Sequence, residues 1–488
     1  MLKEFIRNSF VYTLSGIFSS AISLFLIPIY TRIFVPADYG IIELVAILTN
    51  LIYLTIALEI SQAIGLYTLD TKDTVENRRY FSTALVFTIG VYTLFSIIAV
   101  IFSKDFSQYL FDDPGKSYIF IISVISIWSG GIFYLLKEQL RWFSRVSEYT
   151  LINITFSIIS IIVTLYLVVF LKIGVVGVFY GLTVGNCVGI LHVFYYLKND
   201  FRLVFDFRKL QEMLRFSIPL VPSSVGVFVS LFIDRIAINE LLSLNDLGLY
   251  SIAYRVASVA GLLVSGAQMA ITPLIINSFR EKDTPQKIAK VFRFFMIGAF
   301  CTILIIGLFS RGILILFTTP LYYGASNVIV LIVITLFLSG IYTFAPGLWI
   351  TKKTKYIALI NIFAAVLNVI LVYTLIPIFG IIGAALATLI SAFIIFLVNQ
   401  IASQKYYPIQ YSWKKLGLTT IIVAGVLFAG LLIPLTVPLL IYFFIKSILG
   451  VIGIGLTAII LTENGEIIMV CREASELMRL ILHLPTRN

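Results

Sequence analysis

The sequence predicts an all-α polytopic membrane protein built from a duplicated helical bundle. Of its 488 residues 60% are hydrophobic and 12% are charged, against about 25% charged in soluble domains, and its mean hydropathy is +1.04. Apolar runs of membrane-spanning length recur from end to end. A set of short landmarks also appears twice, about 208 residues apart.

A helix needs about 20 apolar residues to cross a hydrocarbon core of ~30 Å. Runs at 8–33, 41–66, 81–102, 119–136, 151–171, 175–197, 216–238, 249–276, 292–316, 328–350, 357–376, 381–401, 416–433 and 439–461 meet that need and predict about 14 transmembrane helices. The first run has no small-x-small cleavage site after it and exceeds the roughly 7 to 15 residues of a signal-peptide apolar region, so it is expected to stay as a membrane helix.

The duplication divides those helices. Asp38-Tyr39-Gly40 returns as Asp246-Leu247-Gly248 (246 − 38 = 208), and Phe102-Ser103-Lys104 as Phe309-Ser310-Arg311. Tyr149 with Asn153 is echoed by Tyr356 with Asn361, and Gly174-Val175-Val176-Gly177 by Gly380-Ile381-Ile382-Gly383. The expected organisation is therefore a six-helix N-terminal lobe at 1–210 and a six-helix C-terminal lobe at 211–404, then two extra transmembrane helices and an amphipathic tail at 405–488. Repeats of this kind build many secondary transporters, with the substrate site where they meet.

Basic residues set the expected orientation, because short cytoplasmic loops retain Lys and Arg. With the N-terminus inside, the inner loops hold runs such as Lys198, Arg208, Lys209 and Arg215, or Lys352, Lys353 and Lys355, while the outer side has Arg32, Lys104, Lys116, Lys172 and Arg311. Both termini are thus expected in the cytoplasm, at the cell's inner membrane. Topology accounts for the net charge of +11, and no nucleic-acid partner is expected.

Enzyme signatures are missing from the sequence. His192 and His483 have no metal-ligand companions, and Cys187, Cys301 and Cys471 form no extracytoplasmic disulfide framework. No Walker A loop or GxSxG elbow occurs. The outer segment 103–117, with Asp105, Asp112 and Asp113, reads as a solvated loop. Neither catalysis, a cofactor nor a metal is expected.

The Phe34-Val35-Pro36-Ala37-Asp38-Tyr39-Gly40 segment after the first helix, the duplicated lobe and the two further helices together resemble the polysaccharide-exporting branch of the multidrug/oligosaccharidyl-lipid/polysaccharide exporter superfamily, its O-antigen type flippases above all. The resemblance implies two bundles forming a V around a central cavity. It also implies passage of a lipid-linked oligosaccharide from the cytoplasmic to the outer leaflet.

Charges within spans are costly and usually face a cavity or each other. Asp234, Arg235 and Arg255 fall in spans seven and eight, with both arginines about 11 Å or less from the outer end at 1.5 Å per residue. Three arrangements are open: Asp234 pairs with Arg255 while Arg235 faces an anionic ligand, the set is a structural ion pair, or Arg235 snorkels outward. Two guanidiniums facing a cavity suit a diphosphate. Arg32 and Glu43 flank the first outer loop and are expected to pair, with Glu240 and Ser251 at the matching places in the second repeat; Arg32 joins Asp234, Arg235 and Arg255 as a candidate substrate-binding residue, and Glu43 is a candidate coupling or gating residue. Glu59 and Gln62, near the inner end of span two, form a candidate coupling or gating pair. Asn50, Asn153, Asn186, Asn361 and Asn368 could contact sugars or serve packing. Pro28, Pro219, Pro222, Pro273 and Pro346 are expected to kink their helices.

The expected function is flipping of a polyprenyl-diphosphate-linked oligosaccharide by alternating access for surface polysaccharide assembly. Membrane lipids and glycan polymerase machinery are the expected partners. A cation-coupled multidrug exporter is the alternative within the fold, and a membrane glycan polymerase or ligase a remote one.

Overall fold

The computed structural model describes residues 24–70, 74–143, 145–198, 204–433 and 438–462. Lys3, Arg7, the first part of span one, and the expected amphipathic face of Ile467, Val470, Cys471, Ala474, Leu477, Met478, Ile481 and Leu482 lie outside them. Every regular element among the described residues is helical. In order these are α1 (Leu24–Ile33), α2 (Pro36–Thr55), α3 (Ile60–Asp70), α4 (Thr74–Ile101), α5 (Ser103–Phe111), α6 (Ser117–Trp142), α7 (Val146–Leu165), α8 (Val176–Leu197), α9 (Phe207–Ser217) and α10 (Val221–Leu241). There follow α11 (Leu244–Ala257), α12 (Val259–Ser278), α13 (Thr284–Phe317), α14 (Ser326–Gly340), α15 (Gly347–Ile350), α16 (Thr354–Phe379), α17 (Ile381–Tyr406), α18 (Trp413–Leu431) and α19 (Leu439–Leu461). Twelve spans among the described residues are long and apolar enough to cross a membrane, thirteen with α11 and α12 taken as one. With α1, each of the expected runs has its helix.

Three of those runs are not single helices. Span two breaks between α2 and α3, where Leu58 and Glu59 take φ of 51° and 55°. Span eight is interrupted at Ser258 rather than at Pro273, and span ten at a 3-10 turn before Pro346. Pro219 and Pro222 stand at helix starts, where a missing N–H costs nothing. The segment expected to be an outer loop forms α5, closed by Asp112 in the left-handed region. Before span seven, α9 buries Leu210, Met213 and Ser217, spaced as one helical face, and Asp206 caps it by accepting from the N–H groups of Arg208 and Lys209.

Packing divides the chain into two compact units: Met1–Val256, Phe317–Val328 and Ile362–Ser391 in one, Ala257–Leu316, Ile329–Asn361 and Ala392–Asn488 in the other. In the first, α6 is the central helix. Its Ile127, Phe133, Leu136 and Leu140 join Phe81, Leu85 and Tyr92 of α4 and Val193 of α8 in one core. Asn186 donates to the Ser126 carbonyl and the Ser129 hydroxyl, both at 3.2 Å, so this amide ties α8 to α6. In the second unit the α18–α19 hairpin packs on α13, Leu427 lying against Gly307 and Phe443 against Gly312.

Within the first unit the two repeats meet through reciprocal contacts. An offset of 208 carries Pro36 onto Leu244 and Gly40 onto Gly248. A Cβ on Gly40 would lie 2.0 Å from the Leu244 carbonyl oxygen, and one on Gly248 would lie 1.8 Å from that of Pro36. The same offset carries Thr31 onto Asn239. Thr31 donates to the Phe317 carbonyl at 3.2 Å, and Asn239 to that of Leu110 at 3.3 Å. Contacts in which i meets j′ and j meets i′ are the mark of an isologous, two-fold arrangement. The duplicated turn agrees, since Gly174 and Gly380 take φ of 70° and 59°, values open to glycine at little cost.

Candidate functional site

The reciprocal contact decides which charges meet. Because α2 and α11 cross at glycines, their backbones approach closely, and the side chains one or two turns further along face each other. Glu43 lies 3 residues beyond Gly40, and Arg255 lies 7 beyond Gly248. Helical side chains lean toward the N-terminus, so the long arginine covers the difference in height.

Glu43 is the hub. Its carboxylate lies 3.6 Å from Arg235 Nε and 3.9 Å from Arg255 Nη2. Both separations are longer than a charge-assisted hydrogen bond of about 2.7–2.9 Å. Arg235 is 4% exposed, and its guanidinium carbon sits 4.0 Å from the centre of the Tyr254 ring. Among the described residues its Nε has no hydrogen-bond acceptor. Arg255 is more open, its side chain 26% exposed, and stands 5.0 Å over the Tyr39 ring. The Tyr39 hydroxyl is fully buried and likewise without a partner among the described residues. The Arg235 Nε and the Tyr39 hydroxyl thus have hydrogen-bonding capacity to spare among the described residues, which buried polar groups normally do not.

Three expectations change here. Asp234 does not pair with Arg255: its Oδ2 accepts from the Tyr250 hydroxyl at 2.7 Å and its Oδ1 from the backbone N–H of Arg235 at 2.8 Å. Arg235 does not snorkel, because Glu43 and Tyr254 hold it inside. Arg32 does not pair with Glu43. It lies exposed on α1, whereas Glu43 turns to the arginines of the other repeat. The matching second-repeat residues do other work, Glu240 accepting from Tyr373 at 2.7 Å and Ser251 donating to its own helix at Leu247.

Glu59 and Gln62 stay adjacent for a different reason than helical spacing. The break puts Glu59 ahead of α3, and the Gln62 N–H closes a turn on its carbonyl at 3.0 Å. Glu59 is 8% exposed. A non-glycine residue with positive φ costs roughly 1–2 kcal/mol, so the surrounding fold holds this carboxylate in place. Near it on α6, Glu138 is buried and pairs with Arg141 at 2.8 Å.

Two buried charges escaped the sequence reading. Glu138 stands between Lys137 and Arg141, so in the sequence it does not stand out as a lone charge within a span. Lys446 is a single charge within an otherwise apolar span, and that isolation was the available signal. In the second unit its ammonium donates to the Leu308 carbonyl at 2.8 Å and the Tyr442 hydroxyl at 2.7 Å.

Comparison with known proteins bears on this geometry. Residues 29–274 match the family described as polysaccharide biosynthesis protein, and residues 219–374 match the MatE family. The chain is 27% identical over 238 residues to the probable low-salt glycan biosynthesis flippase Agl15 of Haloferax volcanii, a match covering 46% of this chain and 49% of that protein. It is 23% identical over 405 residues to the capsular polysaccharide biosynthesis protein CapF of Staphylococcus aureus, covering 80% of this chain and 96% of the relative. The fold is shared with the lipid II flippase MurJ in an inward closed conformation, at a TM-score of 0.71 and 16% identity over 92% of this chain and 98% of that one. An inward-facing multidrug resistance MATE transporter of the MOP superfamily aligns at a TM-score of 0.63 and 15% identity, over 82% of this chain and 95% of that one.

Proposed function

Because the chain belongs to the polysaccharide biosynthesis protein family, with the multi-pass all-α fold of the multidrug/oligosaccharidyl-lipid/polysaccharide exporters, we propose that it flips a polyprenyl-diphosphate-linked oligosaccharide. Transport runs from the cytoplasmic to the outer leaflet of the cell membrane by alternating access, between lobes at 1–210 and 211–404. The observation that carries this reading is the buried Arg235, 3.6 Å from Glu43 and with no hydrogen-bond acceptor for its Nε among the described residues, in one cluster with the more exposed Arg255. A diphosphate supplies oxygens that the Arg235 Nε can donate to, and guanidiniums bind such oxygens in bidentate pairs.

On this reading Arg255, the more exposed of the two, meets the diphosphate first. Arg235 stiffens the site from behind, with Asp234 fixing the local backbone and Tyr250. Arg32 guides the headgroup at the mouth, and Glu59 with Gln62 supplies the coupling or gating element. The lipid tail stays in the bilayer, since wetting it would cost ~0.8 kcal/mol per methylene. Both termini face the cytoplasm. Cysteines placed at Lys209 and Lys353 should then resist an impermeant outside reagent, and one at Asp112 should react.

Leaflet-resolved translocation of a labelled lipid-linked oligosaccharide in proteoliposomes containing this chain alone tests the reading. Movement that falls with Arg255→Ala and recovers only partly with Arg255→Lys is the expected result. No movement under any ion gradient or potential, with normal surface glycan in a deletion strain, refutes it and favours drug export.

A further inference from the structure

The second compact unit contains a cavity of about 660 Å³ at its lysine-rich end, which the transport reading leaves unused. Lys282, Lys290 and Arg293 line it, along with Tyr411, Leu416 and Leu461, and among the described residues no carboxylate does. The nearby acids are already engaged: Lys287, which does not line the cavity, lies 2.8 Å from Asp283 and 3.4 Å from Glu281. Lys282 and Lys290 make no ion pair among the described residues. The cavity wall is stiff, with Phe292 and Tyr411 packed edge to face at 4.6 Å and the Tyr411 hydroxyl donating to the Phe344 carbonyl.

Its position within the unit suggests the ligand. The cavity lies where span α18 begins, at Trp413, and where span α19 ends, at Leu461, the level of lipid phosphates. Trp413 is half-exposed, as expected at an interface. One or two turns further into the spans, Leu418 and Ile421 of α18 and Leu456 and Ile459 of α19 are exposed. A basic chamber above an open apolar track fits an amphiphile with an anionic head.

We propose that this cavity is a resident site for an anionic phospholipid, its phosphodiester held by Lys282, Lys290 and Arg293 and its acyl chains lying along α18 and α19. The ammonium groups and the guanidinium neutralise the phosphate, and neighbouring zwitterionic lipids, with their own cation, compete poorly. The inference stands independently of what the protein transports.

Native mass spectrometry of the full chain in detergent, titrated in turn with phosphatidylglycerol, phosphatidylcholine, inorganic phosphate and a polyprenyl diphosphate, tests it. Phosphatidylglycerol should be retained at least tenfold better than phosphatidylcholine, and inorganic phosphate should not displace it at equal concentration. The triple variant Lys282→Gln/Lys290→Gln/Arg293→Gln should lose that retention, while Lys287→Gln keeps it. Ala289→Trp, which fills the cavity with all three cations in place, should lose it too. Equal retention of phosphatidylcholine, unchanged phosphatidylglycerol in the triple variant or in Ala289→Trp, displacement by inorganic phosphate, or a preference for the polyprenyl diphosphate overturns the proposal.

Discussion

Replacing Glu43 with glutamine removes one charge from a site where two cations depend on it. At an effective dielectric of about 20, unit charges 3.6 and 3.9 Å apart attract by roughly 4–5 kcal/mol each. Most of that attraction offsets desolvation, so the net cost is set by what remains afterward: an Arg235 guanidinium 4% exposed and lacking its carboxylate. Breaking a buried pair from one side costs about 3–5 kcal/mol. Arg255, with a side chain 26% exposed, contributes the smaller part because solvent screens it. The decisive comparison is Glu43→Gln with Glu43→Gln/Arg235→Met, each followed by unfolding in lipid nanodiscs. Removing the stranded cation should restore about 2 kcal/mol or more of the loss, a coupling far outside additivity. Additive effects within about 0.5 kcal/mol would mean that the two side chains do not share an ion pair, and the site would have to be redrawn.

Gly248→Ala must push the Pro36 carbonyl aside from a separation of 1.8 Å, and Gly40→Ala the Leu244 carbonyl in the same way, so each should destabilise by about 1–3 kcal/mol. Melting at the wild-type temperature for both variants would disprove the reciprocal contact. Lys172 is exposed at φ 53°, so Lys172→Gly should relieve roughly 1–2 kcal/mol of backbone strain against about 0.4–1 kcal/mol of added unfolded-chain entropy, a net gain read from a denaturant midpoint. Lys446→Met takes the donor from the Leu308 carbonyl and the Tyr442 hydroxyl and should cost about 1–3 kcal/mol, seen as earlier proteolysis of the α18–α19 hairpin; unchanged proteolysis would argue against an anchoring role.

What the sequence made legible follows from the length scale of each signal. Spans were legible because the bilayer imposes about 20 apolar residues on each, and the expected runs recur among the described residues as helices, three of them interrupted. The breaks were not, since Leu58, Glu59 and Ser258 carry no glycine or proline signal and owe their backbone to surrounding packing. The charged amphipathic helices α5 and α9 were invisible to a search for apolar runs. At the site, Asp234, Arg235 and Arg255 stood out because charge within a span is rare. Glu43 was paired with its sequence neighbour Arg32, although its partners come from the other repeat. Such a partnership depends on which faces the two-fold contact brings together, and the repeat offset alone does not specify that.

The glycine contact and the Glu43–Arg255 pair lie within two turns of each other on the same two helices, α2 and α11, so they are mechanically one element. Any motion that separates α2 from α11 at Gly40 and Gly248 must also lengthen the Glu43–Arg255 pair, already 3.9 Å. That lengthening weakens the pair, and a ligand anion reaching the arginine offsets the loss. On the proposed reading, a diphosphate seated on Arg255 therefore lowers the cost of opening this end of the bundle, and the empty site resists it. A ligand shifts an equilibrium only by its differential affinity for the two states, and here exchange of the Glu43 carboxylate for a phosphate oxygen supplies that difference. Neutralising Glu43 should then uncouple the two events. Cysteines introduced at residues flanking Gly40 and Gly248 should cross-link more slowly in Glu43→Gln even without substrate, whereas in the native chain the slowing should require the lipid-linked diphosphate.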